Sequence, residues 1–451
     1  MIQLPDSLMR SRSSRSSFIV LTLALLGAAS MSSYYLGLFM PLLLQAHAAR
    51  NWAAAYEFGH DFYPVWLTSH DCVPSGCDPY SPEMTRKIQQ GLLGRTLNSK
   101  SASDPSTDYR TFVYPAFTDL LFWPAAQFPF RSVRVVVAFL LVGLTVASVF
   151  LWMQSLSLWP AASSLAAIVL LVVGSYPVLE GLYADQLGLL VGFLLASSLF
   201  AMQRKRLLLS GVILALATIK PQMTALVMVY LLVWSCHDWR ARRRFGIGLL
   251  SALLILCGTA TLIWPHWIQS WARVLLRYPS YAQPPLVGEI FFFGPNLGGV
   301  ASLGTAALLL TLVLAWRKRT TATTAIEFWL TLSFLLCLTA VTLLPSQGFQ
   351  DDVVLLPGIF LVSYRWKELS STKTYKALLA TGTAVLFWPW LAAFVLIASR
   401  SLLPHRVFYS KAVFTLPFRT AAVFPFVLLG LLALGFQSRV SHPAEQDQSS
   451  T

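Results

Sequence analysis

The run "FIVLTLALLGAASMSSYYLGLFMPLLL", residues 18–44, decides how the rest of the chain is read. It follows Arg10, Arg12 and Arg15. It is far longer than the roughly 7–15 apolar residues of a cleavable signal. The run therefore reads as a retained first membrane span whose N-terminal side is cytoplasmic. Similar apolar runs recur to the C-terminal end. Of 451 residues 56% are hydrophobic and 12% charged, with mean hydropathy +0.63. A soluble core cannot hide that much apolar surface, so a polytopic membrane protein is expected. Backbone groups in hydrocarbon must bond within their own segment, which makes the runs helices. The period-2 alternation of a β-barrel is absent.

The net charge of +14 does not point to nucleic acid. Its basic residues sit in short clusters between apolar runs, where the positive-inside bias places them, and no basic groove with interleaved aromatics appears. Arg204-Lys205-Arg206, Arg240 to Arg244, Arg317-Lys318-Arg319 and the stretch Arg365 to Lys376 are thus assigned to the cytoplasm. The runs between them give twelve expected spans, near 18–44, 133–154, 161–178, 187–203, 206–219, 221–236, 245–264, 297–316, 322–344, 352–364, 376–397 and 419–437. Both termini then face the cytoplasm, including the polar tail 438–451. "YPAFTDLLFWPAAQFPF", residues 114–130, is assigned to the outer interface because of its Phe, Trp and Pro content. The short runs on either side of Lys220-Pro221 read as a broken hairpin. Three sizeable segments remain outside: 45–132, 265–296 and 398–418.

Chemistry is expected in the first external loop. "NWAAAYEFGHDFYPVW", residues 51–66, reads as a short helix ending near Pro64, with Glu57 and Asp61 four apart on one face and His60 beside Asp61. A carboxylate at the membrane interface is a candidate general base, or else part of a solvated acidic face. Cys72 and Cys77 flank Pro74 and Gly76 and suit a small disulfide-bonded turn on an oxidising side of the membrane. A metal pair is the alternative, but no second ligand pair follows. Lys220, placed in the membrane and followed by a helix-breaking proline, is a candidate for holding an anion, or else a snorkelling helix-end lysine. The external cations are Arg110, Arg131, Arg134, Arg273, Arg277, Arg406 and Lys411. Asp351 and Asp352 stand at the outer end of the tenth expected span, as sugar-binding or helix-capping groups.

The order of short motifs adds a resemblance. Asp61-Phe62-Tyr63, then Gly76-Cys77-Asp78-Pro79-Tyr80, then Phe112-Val113-Tyr114-Pro115 follow the first span. "GLYADQLGLLVGFLLASSLF", residues 181–200, and "SGVILALATIKPQMTALV", residues 210–227, come later. In this order they resemble glycosyltransferase family 87. Ala116, Asp185 and "LLPSQGFQDDVVLLPG" at 343–358 depart from the family's pattern and leave the substrate open.

The resemblance implies a single GT-C domain over residues 1–451, in a bacterial-type plasma membrane, with its active site facing the periplasm. It implies an inverting transfer of a mannose- or arabinose-type sugar from a polyprenyl-phosphate donor to a hydroxyl of an envelope glycan or glycolipid. Asp61 matches the family's catalytic aspartate. Glu57, His60, Tyr63, Tyr114, Gln186, Lys220, Arg277 and Asp352 are the candidate substrate-binding residues. No Asp-x-Asp element occurs in the first loop and no Walker-type loop anywhere. The reading thus requires no metal, and it disfavours nucleotide donors and ATP. The lipid-linked sugar is the only co-substrate, and the bilayer is a partner; the oligomeric state stays open. A secondary transporter would tend to show repeated halves with paired broken helices. This chain shows one broken pair and a heavy first loop. A non-catalytic envelope-assembly protein is the remaining alternative.

Overall fold

A computed structural model describes residues 14–48, 57–98, 104, 109–278, 282–292, 295–319, 325–346, 348–369 and 372–441. Residues 51–56 of the helix expected up to Pro64, the basic residues Arg10 and Arg12, and the tail beyond 441 lie outside these. Among the described residues the structure is helical, with one isolated bridge between Pro285 and Pro345.

The first run forms α1 (Ser14–Tyr34), a π turn (Tyr35–Phe39) and α2 (Met40–Ala48). The loop region carries α3 (Tyr63–Ser75), α4 (Pro82–Leu93) and α5 (Phe117–Ala126). Local chemistry sets these ends. The Ser81 hydroxyl accepts from the Met84 amide, Pro82 starts α4, and Gly94 closes it in the left-handed region. Ten residues of α5 make about 15 Å of helix, too short to cross a membrane. It packs on α3.

Then come α6 (Phe130–Ser155), α7 (Ala162–Val173), α8 (Tyr176–Ala184), α9 (Leu187–Gln203) and α10 (Leu207–Leu216). A 3-10 turn, Ala217–Ile219, leads into Lys220 and α11 (Pro221–His237). Next are α12 (Trp239–Ile263), α13 (Trp267–Arg277), α14 (Leu286–Phe292), α15 (Pro295–Arg319) and α16 (Ala325–Thr342). A 3-10 segment, Phe349–Leu355, precedes α17 (Leu356–Leu369) and α18 (Lys373–Ser399). Short α19 (His405–Phe408) and α20 (Lys411–Phe414) precede α21 (Phe424–Ser441).

Among the described residues six helical stretches are long and apolar enough to cross a membrane, or seven if α7 and α8, bent by 55°, form one span. The expectation of twelve is thus met only in part. Helix α9 has 17 residues, about 25 Å, short of a hydrocarbon core of about 30 Å. Helix α17 has 14. The shortfall lies where the chain breaks at Gln186, Lys220 and the 3-10 segment before α17. Burial separates the roles of the long helices. In α16, 72% of the spanning window is buried, against 22% in α12 and 17% in α15. Helix α16 is therefore a core element, packed on α11, α17 and α21, while Leu254 and Leu262 of α12 face outward.

Candidate active site

The Asp61 loop is not the helix expected from spacing. Residues 57–62 are turns, and α3 starts at Tyr63 with Pro64 in its first turn. Gly59 has φ +80°, a conformation open to glycine that a helix cannot use. Pro64 suits the first turn of a helix because its missing N–H has no partner there anyway. Glu57 is exposed and shares no helix face with Asp61. The loop is fastened to α8: Gly59 N–H donates to Tyr183 O at 2.9 Å and Asp61 N–H to Ala184 O at 3.1 Å.

A chain of polar contacts runs from this loop into the bundle. Arg110 Nη1 donates to Asp61 Oδ1 at 2.6 Å, and His60 Nε2 lies 3.4 Å from the same oxygen. Gln186 Nε2 donates to Asp61 Oδ2 at 2.8 Å. Gln186 Oε1 accepts from Tyr114 Oη at 2.9 Å and from Lys220 Nζ at 3.2 Å. Lys220 Nζ reaches both oxygens of Asp351 at 2.7 Å.

Each member is set by a break in regular structure. Gln186 is the N-cap of α9, after Asp185 turns the chain at φ 53°. Lys220 is extended between a 3-10 turn and α11 (φ −120°, ψ 82°), and only 6% exposed. Arg110 is left-handed (φ 62°). Gly188, in the first turn of α9, makes room for Asp351: a Cβ there would run into Asp351 Oδ1.

Charge follows from the geometry. Burial pushes the Asp61 carboxyl up, but His60 and Arg110 outweigh it and hold the group below the usual carboxylate range. Asp61 is therefore ionised at neutral pH. Burial pushes the His60 imidazole down, and the Asp61 carboxylate partly offsets this. An ionised carboxylate and a lysine ammonium joined through one amide can act on the two ends of a single group transfer.

The structure brings His60, Asp61, Tyr114, Gln186 and Lys220 together. Tyr63 lies apart: its ring packs against Trp66 and Phe130, and its hydroxyl abuts Gly91. Arg277 is exposed at the end of α13. Asp351, rather than Asp352, pairs with Lys220. Cys72 and Cys77 are joined at the C-terminal end of α3.

Several residues around the site were not among the candidate site residues of the sequence reading. Arg110 was one of many external cations; its signal is its place two residues before the Phe112–Pro115 motif. Asp185 lies against Gly59 with both carboxylate oxygens unpartnered, and burial pushes it up to about 8. Asp119, in α5, accepts from Thr68 at 2.8 Å and Ser69 at 3.3 Å and ties α5 to α3. Trp271 Nε1 donates to Val113 O at 2.9 Å and holds α13 over the Tyr114 segment.

The described residues thus form a helical, membrane-type protein with an acid–amide–cation chain at its helix breaks. Residues 112–345, just over half of the chain, match glycosyltransferase family 87, and the chain belongs to that family. It is accordingly a glycosyltransferase. The match takes in Tyr114, Gln186, Lys220 and Arg277, and leaves out Asp61 and Asp351 on either side. Neither a curated protein nor a solved structure matches the chain.

Proposed function

We propose that the protein is an inverting GT-C glycosyltransferase that takes a sugar from a polyprenyl-phosphate donor on the outer face of a plasma membrane. Asp61 accepts the proton of the acceptor hydroxyl. The freed oxygen attacks the anomeric carbon as the bond from that carbon to the phosphate oxygen breaks. Polyprenyl phosphate leaves with the electron pair, and Lys220 and Arg110 balance its charge. General-base help supplies about 10²–10⁴-fold, and positioned cations much of the rest.

The observation that carries this reading is the run of contacts from Asp61 through Gln186 to Lys220. It couples the base to the cation that faces the leaving group. In the resting protein Asp351 holds Lys220, and the donor phosphate takes its place or shares the ammonium. The cost of an isolated ammonium in the membrane is thus met before the substrate arrives.

The test is a transfer assay of the purified protein with mannose- and arabinose-bearing polyprenyl phosphates. Lys220→Met should weaken donor binding as well as turnover, because its charge attracts the phosphate in the ground state and more strongly as the bond breaks. Undisturbed donor affinity in a folded Lys220→Met protein contradicts the assignment. Transfer from no lipid-linked sugar contradicts the donor class.

A further inference from the structure

Helix α13 has three faces. Trp267, Ser270, Trp271 and Val274 turn inward and are buried or half-buried. Ser270 Oγ donates to Asp78 Oδ2 at 3.2 Å and Trp271 Nε1 to Val113 O, so this face lies on the first loop. Ile268, Ala272, Leu275 and Leu276 make a second face at helical spacing. All four are exposed, Leu276 to 82%. Gln269, Arg273 and Arg277, each four apart, make a third face that is exposed and basic. A helix docked on a protein in water needs only the first of these faces to be apolar, and the rest of it is polar.

The start of α13 fixes its depth. Helix α12 is one of the stretches long and apolar enough to cross a membrane, and Leu262 in its last turn is 85% exposed. The chain turns out of helical geometry at Trp264 (φ −125°, ψ 83°), and Trp267 Nε1 donates back to Thr261 Oγ1 at 3.0 Å. Helix α13 thus begins where a lipid-facing helix ends. Its 11 residues make about 16 Å of helix, too short to cross.

The two exposed faces ask for different surroundings at the same level. Leu275 and Leu276 are covered only by hydrocarbon or another apolar surface, while Arg273 and Arg277 call for water and anions. The boundary of a bilayer supplies both within a few residues' width, and a basic amphipathic helix lies along it. Anionic headgroups add an attraction that zwitterionic ones lack.

We infer that α13 lies flat in the headgroup layer on the side of the Asp61 loop, as a docking surface for anionic lipid. Ile268, Leu275 and Leu276 sit among the acyl chains, and Arg273 and Arg277 sit on lipid phosphates. Through Ser270 and Trp271 the helix then holds the first loop at headgroup level. This contact goes beyond the glycosyl-transfer reading and stands without it.

Fluorescence quenching in lipid nanodiscs tests this on the full-length protein. A thiol-reactive fluorophore is placed by Leu276→Cys or by Gln269→Cys, with Cys236→Ser and Cys257→Ala to leave one accessible thiol. Lipids brominated on their acyl chains should quench the label at 276, and iodide in the water should not. The label at 269 should be quenched more by iodide. At equal mole fraction, brominated phosphatidylglycerol should quench the label at 276 as if enriched at least about threefold over brominated phosphatidylcholine. Arg273→Gln with Arg277→Gln should abolish this preference and leave quenching by phosphatidylcholine in place. Arg273→Lys with Arg277→Lys should retain the preference, which separates loss of charge from loss of fold. Iodide quenching of both labels places α13 in water and overturns the inference. Quenching of the label at 276 by neither agent means that protein covers this face, and overturns it too. Equal quenching by the two lipids, or a preference that survives the loss of both arginines, overturns the anionic-lipid contact.

Discussion

Asp61, half-buried, and Asp185, fully buried, are carboxylates beside the same turn, and their surroundings drive them apart. Asp61 has Arg110, His60 and Gln186 around it and stays ionised. Asp185 faces Arg134 without a hydrogen bond, and burial lifts it to about 8. The folded protein therefore keeps a proton on Asp185 that the unfolded chain releases above about pH 4. Its contribution to stability is full below that pH and is lost as pH rises through about 8. Asp185→Asn removes the titration. Its thermal midpoint should gain on that of the unaltered protein between about pH 5 and about pH 8.5. A constant offset at both pH values would show that Asp185 does not titrate in this range. At this scale Gln186 and Lys220 were legible because each is a polar residue at the edge of an apolar run, and Asp61 because it stands beside His60 in a motif that carries the resemblance. Arg110 and Asp351 were not: their roles depend on contacts across 49 and 131 residues of chain. Asp351 and Asp352 were named together at the outer end of one run, and only the fold shows that it is Asp351 that pairs with Lys220.

The elements that carry the site are short, and each ends where a functional residue begins. Helix α8 ends at Asp185, α9 begins at Leu187, and α11 begins at Pro221 after Lys220. The broken hairpin at Lys220-Pro221 was readable, because proline stops a helix by removing a donor and crowding the preceding turn. The helix expected up to Pro64 does not form over residues 57–62, because the same residue type favours a first turn and Gly59 forces the chain out of helical geometry. Helix α3 is closed by Gly76 and by the Cys72–Cys77 bond. For so small a ring the chain-entropy account gives about 2 kcal/mol. Cys72→Ser with Cys77→Ser should lower the unfolding midpoint by a corresponding amount in purified protein. Treatment with reductant should produce the same shift. Two free thiols in non-reduced peptides from protein taken from its native membrane would contradict the bond.

Across the whole molecule, the helical class was legible from hydropathy alone, whereas the span count was not. Hydropathy reports how apolar a run is, while several runs here are interrupted to bring Gln186, Lys220 and Asp351 together, and their helices fall short of the bilayer. The basic clusters predict the sidedness. Reporter fusions after Arg206, Arg244, Arg319 and Lys376 should report the cytoplasm, and fusions near Lys100 and Pro284 the exterior. An external report at Arg206 would mean that residues 114–130 cross the membrane after all. All of this serves one claim, that Asp61 takes the acceptor's proton while the cation across Gln186 receives the leaving phosphate. The most direct measurement is the transfer rate of folded Asp61→Asn from the polyprenyl-phosphate sugar that the unaltered protein uses, with donor affinity measured beside it. Asparagine keeps the shape but cannot take the proton, so turnover should fall at least about 10²-fold while donor affinity changes little. Full turnover in Asp61→Asn would contradict the account.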